Sequence, residues 1–244
     1  MSEIIAGRKP VLEALKNRER VEKLYFRQGE HKGSLIEILA KAKEAGIPVQ
    51  SCSSEKLEEL SGGARHQGVA LLRSETEYLS LDALFEIAEA RGEAPFFLLL
   101  DGIMDPHNLG AMIRTAEVCG CHGVILPKRN SAPVTAVVHK ASAGATEHIG
   151  LCRVSNLTDT VLKLKKRNVW VYGADMGGTP YTRANLKGAV ALVIGSEGSG
   201  LSMHLAKHLD GTLSLPVKGR VDSLNASNAC AVLLYEILRQ NESS

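Results

Sequence analysis

Residues 96–114, "FFLLLDGIMDPHNLGAMIR", decide the fold. The continuous apolar run Phe96–Leu100 is a strand covered on both faces, as strands of parallel sheets are. A short loop follows, and then a helix. Asp105 is suited to cap it, Pro106 to its first position, and Gly120 to its stop. At about 100° per residue, Leu109, Met112, Ile113 and Ala116 form one apolar stripe facing a core. The other side carries Arg114 with His107, Gly110, Ala111 and Val118, side chains too short to cover a guanidinium. A surface arginine commonly pairs with a carboxylate one turn on, here Glu117. The alternative is an arginine left open for a ligand. A dinucleotide-binding protein places GxGxxG in this loop, with amides facing a pyrophosphate. This loop has Asp, Pro, His and Asn instead, which speaks against a Rossmann oxidoreductase.

The pattern extends outward from this unit. Strands are expected at 123–127, 149–153, 169–174, 189–194 and 212–216, with helices between them and a long helix closing the chain. Together they imply an α/β domain over residues 95–244 with a mostly parallel sheet. Ligands of such sheets bind outside the carboxyl ends of the strands, so those loops are where chemistry is sought. Before it, an acidic stretch at 76–94 reads as a linker with a short helix. Residues 1–75 read as a small α/β domain, with helices at 10–17, 35–45 and 55–60 and strands at 22–27, 48–51 and 69–73.

Composition sets limits. The chain has 244 residues, enough for two such domains with ample core. It is 44% hydrophobic and 23% charged, values of a globular protein that needs no lipid. No apolar run approaches the roughly 20 residues of a membrane span, and the N-terminus lacks a secretory signal. The five cysteines form no CxxC pair and leave one over, which points to reduced thiols in the cytoplasm, with neither a disulfide framework nor a metal site. A net charge of +2 does not announce a nucleic-acid partner. The basic run "KLKKR" (163–167) reads as a solvated helix face. Lys218 and Arg220 stand in a loop beside other unusual residues.

Two further loops stand out. In "VIGSEGSGLS" (193–202) a buried strand runs into three glycines ordered GxxGxG, which is neither a Walker A motif nor a Rossmann fingerprint. The glycines imply a sharp turn and close approach of something to the backbone. Glu197 in their midst disfavours phosphate and favours a neutral or cationic ligand. In "LSLPVKGRVDSLNASNACAVLLYEIL" (213–238) a strand ends at Pro216. A basic glycine loop then leads to Ser223, Asn225, Ser227 and Asn228 at the start of an apolar helix. Asp222 or Ser223 would serve as its cap; the others offer neutral donors and acceptors.

The ordered triple NLGxxxRTA, IGSEGxG and LPxxGxxxSLNxS resembles the SpoU/TrmH branch of the SPOUT RNA methyltransferases over essentially all of residues 95–240. "GRKPVLEAL" and "HQGVALL" resemble the ends of the small ribosomal-protein-like substrate-binding domain in the subgroup of 23S rRNA guanosine 2′-O-methyltransferases. The departures are mild: Ala226 where the family often has Val, and "LPVKG" where "IPM" is frequent. The resemblance implies a deep trefoil knot, S-adenosylmethionine as methyl donor, no metal, and a homodimer. It implies an RNA substrate, 23S rRNA foremost, with neither DNA nor membrane as partner. Carried over by position, Asn108, Arg114, Glu197, Ser223 and Asn225 match the catalytic site, and Gly195, Leu215, Val217 and Leu224 surround the methyl donor. Because guanidinium stays protonated, Arg114 is expected to clamp a phosphate and stabilise the developing alkoxide, with Glu197 orienting it or taking the proton. Two other readings remain: a tRNA ribose methyltransferase of the same branch, and a non-catalytic RNA-binding or assembly module. The second predicts erosion of the arginine and of the Ser-Leu-Asn loop, and both are intact.

Overall fold

The computed structural model describes residues 3–16, 21–29, 33–73 and 76–242. The chain divides into two compact units, residues 1–77 with 133–136, and residues 78–132 with 137–244.

The first unit contains β1 (Glu3–Ala6), α1 (Arg8–Lys16), β2 (Val21–Arg27), α2 (Ser34–Glu44), β3 (Val49–Cys52), α3 (Ser54–Ser61) and β4 (Val69–Arg73). Its sheet has the order β1-β4-β2-β3. β4 pairs antiparallel with both β1 and β2, and β2 pairs parallel with β3. Alternation along β2 sends Leu24 into a core with Val11, Leu35, Ile38 and Leu71. β1 was not expected from the sequence: four residues carry too little periodicity to register, and this strand exists through its pairing with β4.

The second unit contains α4 (Leu81–Arg91), β5 (Phe96–Asp101), α5 (Pro106–Val118), β6 (Gly123–Pro127), α6 (Ala136–Ala141) and β7 (Gly150–Val154). It continues with α7 (Leu157–Lys166), β8 (Trp170–Pro180), β9 (Val190–Gly195), α8 (Met203–Ala206), β10 (Gly211–Ser214) and α9 (Ala226–Glu242). All six strands are parallel, in the order β10-β8-β9-β5-β6-β7. β5 and β9 are central, so the loops that follow them leave the sheet side by side. α4 occupies most of the stretch read as a linker. Leu84 and Phe85 are buried in the core of this unit, and Phe85 meets Phe97 edge-on at 5.0 Å between centroids. α4 is the short helix expected in this stretch, and its apolar positions lie on one face and are covered.

The start of β5 is pinned by His122, 2% exposed. Its Nδ1 accepts the Phe96 N–H at 3.0 Å, so Nε2 carries the proton and donates to Glu93 at 2.9 Å. Burial lowers the pKa of this imidazole, and Glu93 opposes that only in part. The unfolded chain takes up this proton near pH 6.5 and the folded chain at lower pH, so stability falls as pH drops below about 6.5. The melting temperature should therefore fall between about pH 7.5 and 5.5, with a shallower slope in His122→Gln. Equal slopes would assign the acid sensitivity to other groups.

The closing helix is amphipathic. Cys230, Leu233, Leu234 and Ile237 are buried, while Val232 and Tyr235 are exposed. Its last turn is tied to the segment before β9: Gln240 Oε1 accepts the Leu186 N–H at 2.9 Å, and Asn241 Oδ1 accepts the Gly188 N–H at 2.7 Å. Glu236 is buried but satisfied, gripped by two Arg239 hydrogen bonds of 2.8 Å, which hold its carboxyl below the usual carboxylate range.

Candidate active site

The helix start at α5 is built as its sequence implies. Asp105 accepts the backbone N–H groups of His107 and Asn108, and Pro106 takes the first turn, where no N–H is needed. Leu109, Met112, Ile113 and Ala116 face the core. Gly110 differs from expectation. It is buried rather than a small neighbour on the open face, and a Cβ there would lie 2.4 Å from Ala141 Cβ. Its smallness serves the close approach of α6, not access to Arg114.

Three loops converge. Asn108 Nδ2 donates to Glu197 Oε1 at 3.0 Å. Asn225 Nδ2 donates to Asn108 Oδ1 at 3.2 Å and makes a further, short hydrogen bond to Glu197 Oε1. An ionised carboxylate accepts only, so both amides must present their NH2 groups to it. Asn225 also caps α9: its Oδ1 accepts the Ser227 N–H at 2.9 Å and the Ser227 hydroxyl at 2.5 Å. The cap is thus Asn225 rather than Asp222 or Ser223, because the helix begins at Ala226, later than its apolar pattern suggests. One asparagine both starts the last helix and fixes the carboxylate.

The glycine loop is closed on itself. Ser196 and Gly200 exchange backbone hydrogen bonds of 3.1 and 2.9 Å. Ser196 and Ser199 share a hydroxyl contact of 2.7 Å. Asp101, the last residue of β5, accepts the Ser202 N–H at 3.0 Å and ties the loop to the neighbouring strand. At Gly195 a Cβ would lie 2.2 Å from the Gly200 carbonyl carbon, so no other residue fits there without moving backbone. Only glycine permits this approach.

Beside the loop is a cavity of about 400 Å³. Gly195, Glu197, Leu215, Val217, Ser223 and Leu224 all line it, which brings together six of the nine residues singled out in the sequence. Asn108 and Asn225 join through Glu197. Arg114 stands apart. It is exposed, is absent from the cavity wall, and makes no hydrogen bond or ion pair among the described residues, with neither Glu117 nor Glu197. Glu197 is therefore held by the two asparagines, and the expected contact by which it would orient Arg114 is not among the hydrogen bonds or ion pairs of the described residues. The sequence reading missed Asp101 and the segment Ala174–Met176, which also lines the cavity. Asp101 was detectable as a carboxylate ending a buried strand at the ligand edge. Ala174–Met176 was not, since β8 runs six residues beyond the apolar stretch that marks it.

A family model described as the SpoU rRNA Methylase family matches residues 95–235. The chain belongs to the SpoU rRNA methylase family. A second model, described as RNA 2′-O ribose methyltransferase substrate binding, matches residues 4–79. This SpoU-family chain is 41% identical over 238 residues to YacO of Bacillus subtilis (strain 168), a protein assigned to the TrmH family of tRNA/rRNA methyltransferases; the match covers 97% of this chain and 95% of that one. Among solved structures, it resembles the SpoU methyltransferase AviRb from Streptomyces viridochromogenes in complex with AdoMet. That likeness has a TM-score of 0.63 and 24% identity, over 100% of this chain and 92% of that one. It also resembles an AdoMet-bound rRNA methyltransferase from Sinorhizobium meliloti (TM-score 0.60, 25% identity, 98% and 87% covered). A structure concerned with 2′-OH methylation of C/U34 on tRNA covers 62% of this chain and 99% of its own (TM-score 0.56, 25% identity).

Proposed function

We propose that this SpoU-family enzyme transfers a methyl group from S-adenosylmethionine to a ribose 2′-hydroxyl of RNA, with a guanosine of 23S ribosomal RNA as the foremost target. The observation that carries this reading is the Asn108–Glu197–Asn225 arrangement beside a glycine-floored cavity. The cavity suits the donor chemically. Leu213, Leu215, Leu224 and Leu233 offer apolar walls for an adenine. The first turn of α9 offers backbone N–H groups for a carboxylate. No described group of three or more His, Cys, Asp or Glu side chains is placed to hold a metal. The target on rRNA rather than tRNA is favoured by the N-terminal unit. The rRNA enzyme from Sinorhizobium meliloti spans nearly the whole chain, whereas the tRNA-related structure leaves more than a third uncovered.

S-adenosylmethionine supplies the electrophilic methyl group. Gly195, Leu215, Val217 and Leu224 hold the donor. Asn108 and Asn225 occupy Glu197 Oε1, which leaves Oε2 to take the 2′-hydroxyl proton. Arg114, always charged, clamps a backbone phosphate and stabilises the oxygen as it becomes anionic. Holding both reactants in line supplies much of the remaining acceleration. Mapping 2′-O-methyl groups on total RNA, with and without the gene, tests the reading: one 23S guanosine should lose its methyl group. Loss confined to tRNA would overturn the rRNA assignment.

In the first unit, Lys9 and Arg65 are exposed, and the start of α1, which carries Lys9, is bonded to the loop that carries Arg65. The Arg8 N–H donates to Gln67 Oε1, and Arg8 Nε donates to the Gln67 carbonyl, both at 3.1 Å. These cations grip RNA in this reading. Lys9→Glu with Arg65→Glu should weaken RNA binding in a salt-dependent way and leave donor affinity unchanged. A loss of donor affinity would contradict that division of labour.

A homodimer on α9 completes the proposal. Val232 and Tyr235 lie exposed beside a groove that includes Tyr181 and Leu238. α9 packs against α5, the helix of Arg114. Sedimentation at micromolar concentration should show a dimer that Tyr235→Glu converts to monomer; a wild-type monomer would refute it. The close Gly195–Gly200 packing and the return of the chain from β10, at the sheet edge, to α9 against β9 support the knotted path. The absence of any long apolar helix among the described residues is compatible with work in the cytoplasm.

A further inference from the structure

The cavity wall holds two carboxylates and, among the described residues, no Lys, Arg or His. Glu197 comes from the loop after β9 and Asp175 from the extended end of β8. These strands are parallel neighbours, with Gly173 opposite Val193, so both carboxylates leave the sheet at the same edge. Asp175 is held locally. Its Oδ1 accepts the Gly177 N–H at 2.8 Å, which fixes the side chain and leaves Oδ2 without a partner among the described residues. Nothing in the reaction outlined above uses this carboxylate.

We propose that Asp175 is a specificity-determining residue that makes the cavity prefer the sulfonium donor to its thioether product. The inference rests on placing S-adenosylmethionine in this cavity. Donor and product share the adenosine, the amino group and the carboxylate, so contacts to those parts hold both equally. They differ by one methyl group and one positive charge. Transfer breaks the S–CH3 bond, leaves its electron pair on sulfur and joins the methyl group to the ribose oxygen. The bound ligand thereby loses a positive charge in place. A site with two negative charges and apolar walls holds the cation more tightly than the neutral thioether, because the surroundings screen less than bulk water. Ejection of product is then driven by the same event that ends the chemistry.

Calorimetric titration of the full chain tests this with three ligands. They are S-adenosylmethionine, S-adenosylhomocysteine, and sinefungin, in which an amine replaces the methylsulfonium and restores the positive charge. Asp175→Asn should weaken binding of S-adenosylmethionine and sinefungin by about three- to tenfold while S-adenosylhomocysteine stays within about twofold. The wild-type preference should shrink between about 50 and about 300 mM salt, and Asp175→Glu should retain most of it. An equal loss for all three ligands, or none, would overturn the proposal, since Asp175 would then bond a shared group or nothing. Leu224→Trp fills the cavity from an exposed position and should weaken all three ligands together. If it changes none of them, the placement of the donor fails, separately from the role of Asp175.

Discussion

Replacing Arg114 by alanine should lower the single-turnover methylation rate by about 10²–10³-fold, the loss seen when one electrostatic stabiliser is removed. The expectation follows from its surroundings: an exposed guanidinium, with no partner among the described residues, on the helix that carries Asn108. A charge left uncompensated in the free protein is available to a substrate. Arg114→Lys keeps the charge but loses the bidentate fork. It should retain measurable turnover, raise the RNA Michaelis constant and leave donor affinity alone. Rates measured from about pH 4, so that the ordinary carboxylate range is included, up to about pH 10 distinguish clamp from base, since a carboxylate base titrates and a guanidinium clamp does not. The pH dependence should persist in Arg114→Lys and vanish in Glu197→Gln. The opposite pair of profiles would make the arginine the base. Asn225→Ala should resemble Glu197→Gln in rate and also destabilise α9, because the same side chain caps that helix, at a cost of about 1 kcal/mol.

Gly195→Ala should abolish donor binding and lower the melting temperature. The added Cβ would lie 2.2–2.4 Å from three backbone atoms of Gly200 and Leu201, which cannot rotate away as a side chain can. Two backbone hydrogen bonds between Ser196 and Gly200 resist opening of the loop. A cost of about 3 kcal/mol, at the upper end for overpacking, corresponds to a fall of roughly 6–12 °C for a chain of this size. Differential scanning calorimetry and donor titration check both effects. Wild-type donor affinity in Gly195→Ala would show that the loop does not shape the cavity.

The alternation of strands and helices, the caps at Asp105 and the buried face of α5 were legible in the sequence, because each depends on residues within a few positions of one another. So was the choice of loops, since a parallel sheet places its ligands at one edge. The loops themselves drew attention to Glu197 and Asn225, and the resemblance added the catalytic roles expected of them. What the tertiary structure decided lies between distant residues. Asn108 and Glu197 are 89 positions apart, and Asn108 and Asn225 are 117 apart. Whether those side chains meet depends on the order β8-β9-β5 in the sheet, which local patterns do not contain. Gly110 and Gly195 show the same division. The sequence marks a place where a side chain is absent, and only packing shows what takes the space: the Gly200–Leu201 backbone of the same loop at Gly195, and Ala141 with the backbone around it at Gly110. Asp175 is the extreme case. It follows an ordinary apolar strand and acquires its place in the cavity wall only because β8 continues past the sheet's apolar core alongside the glycine loop.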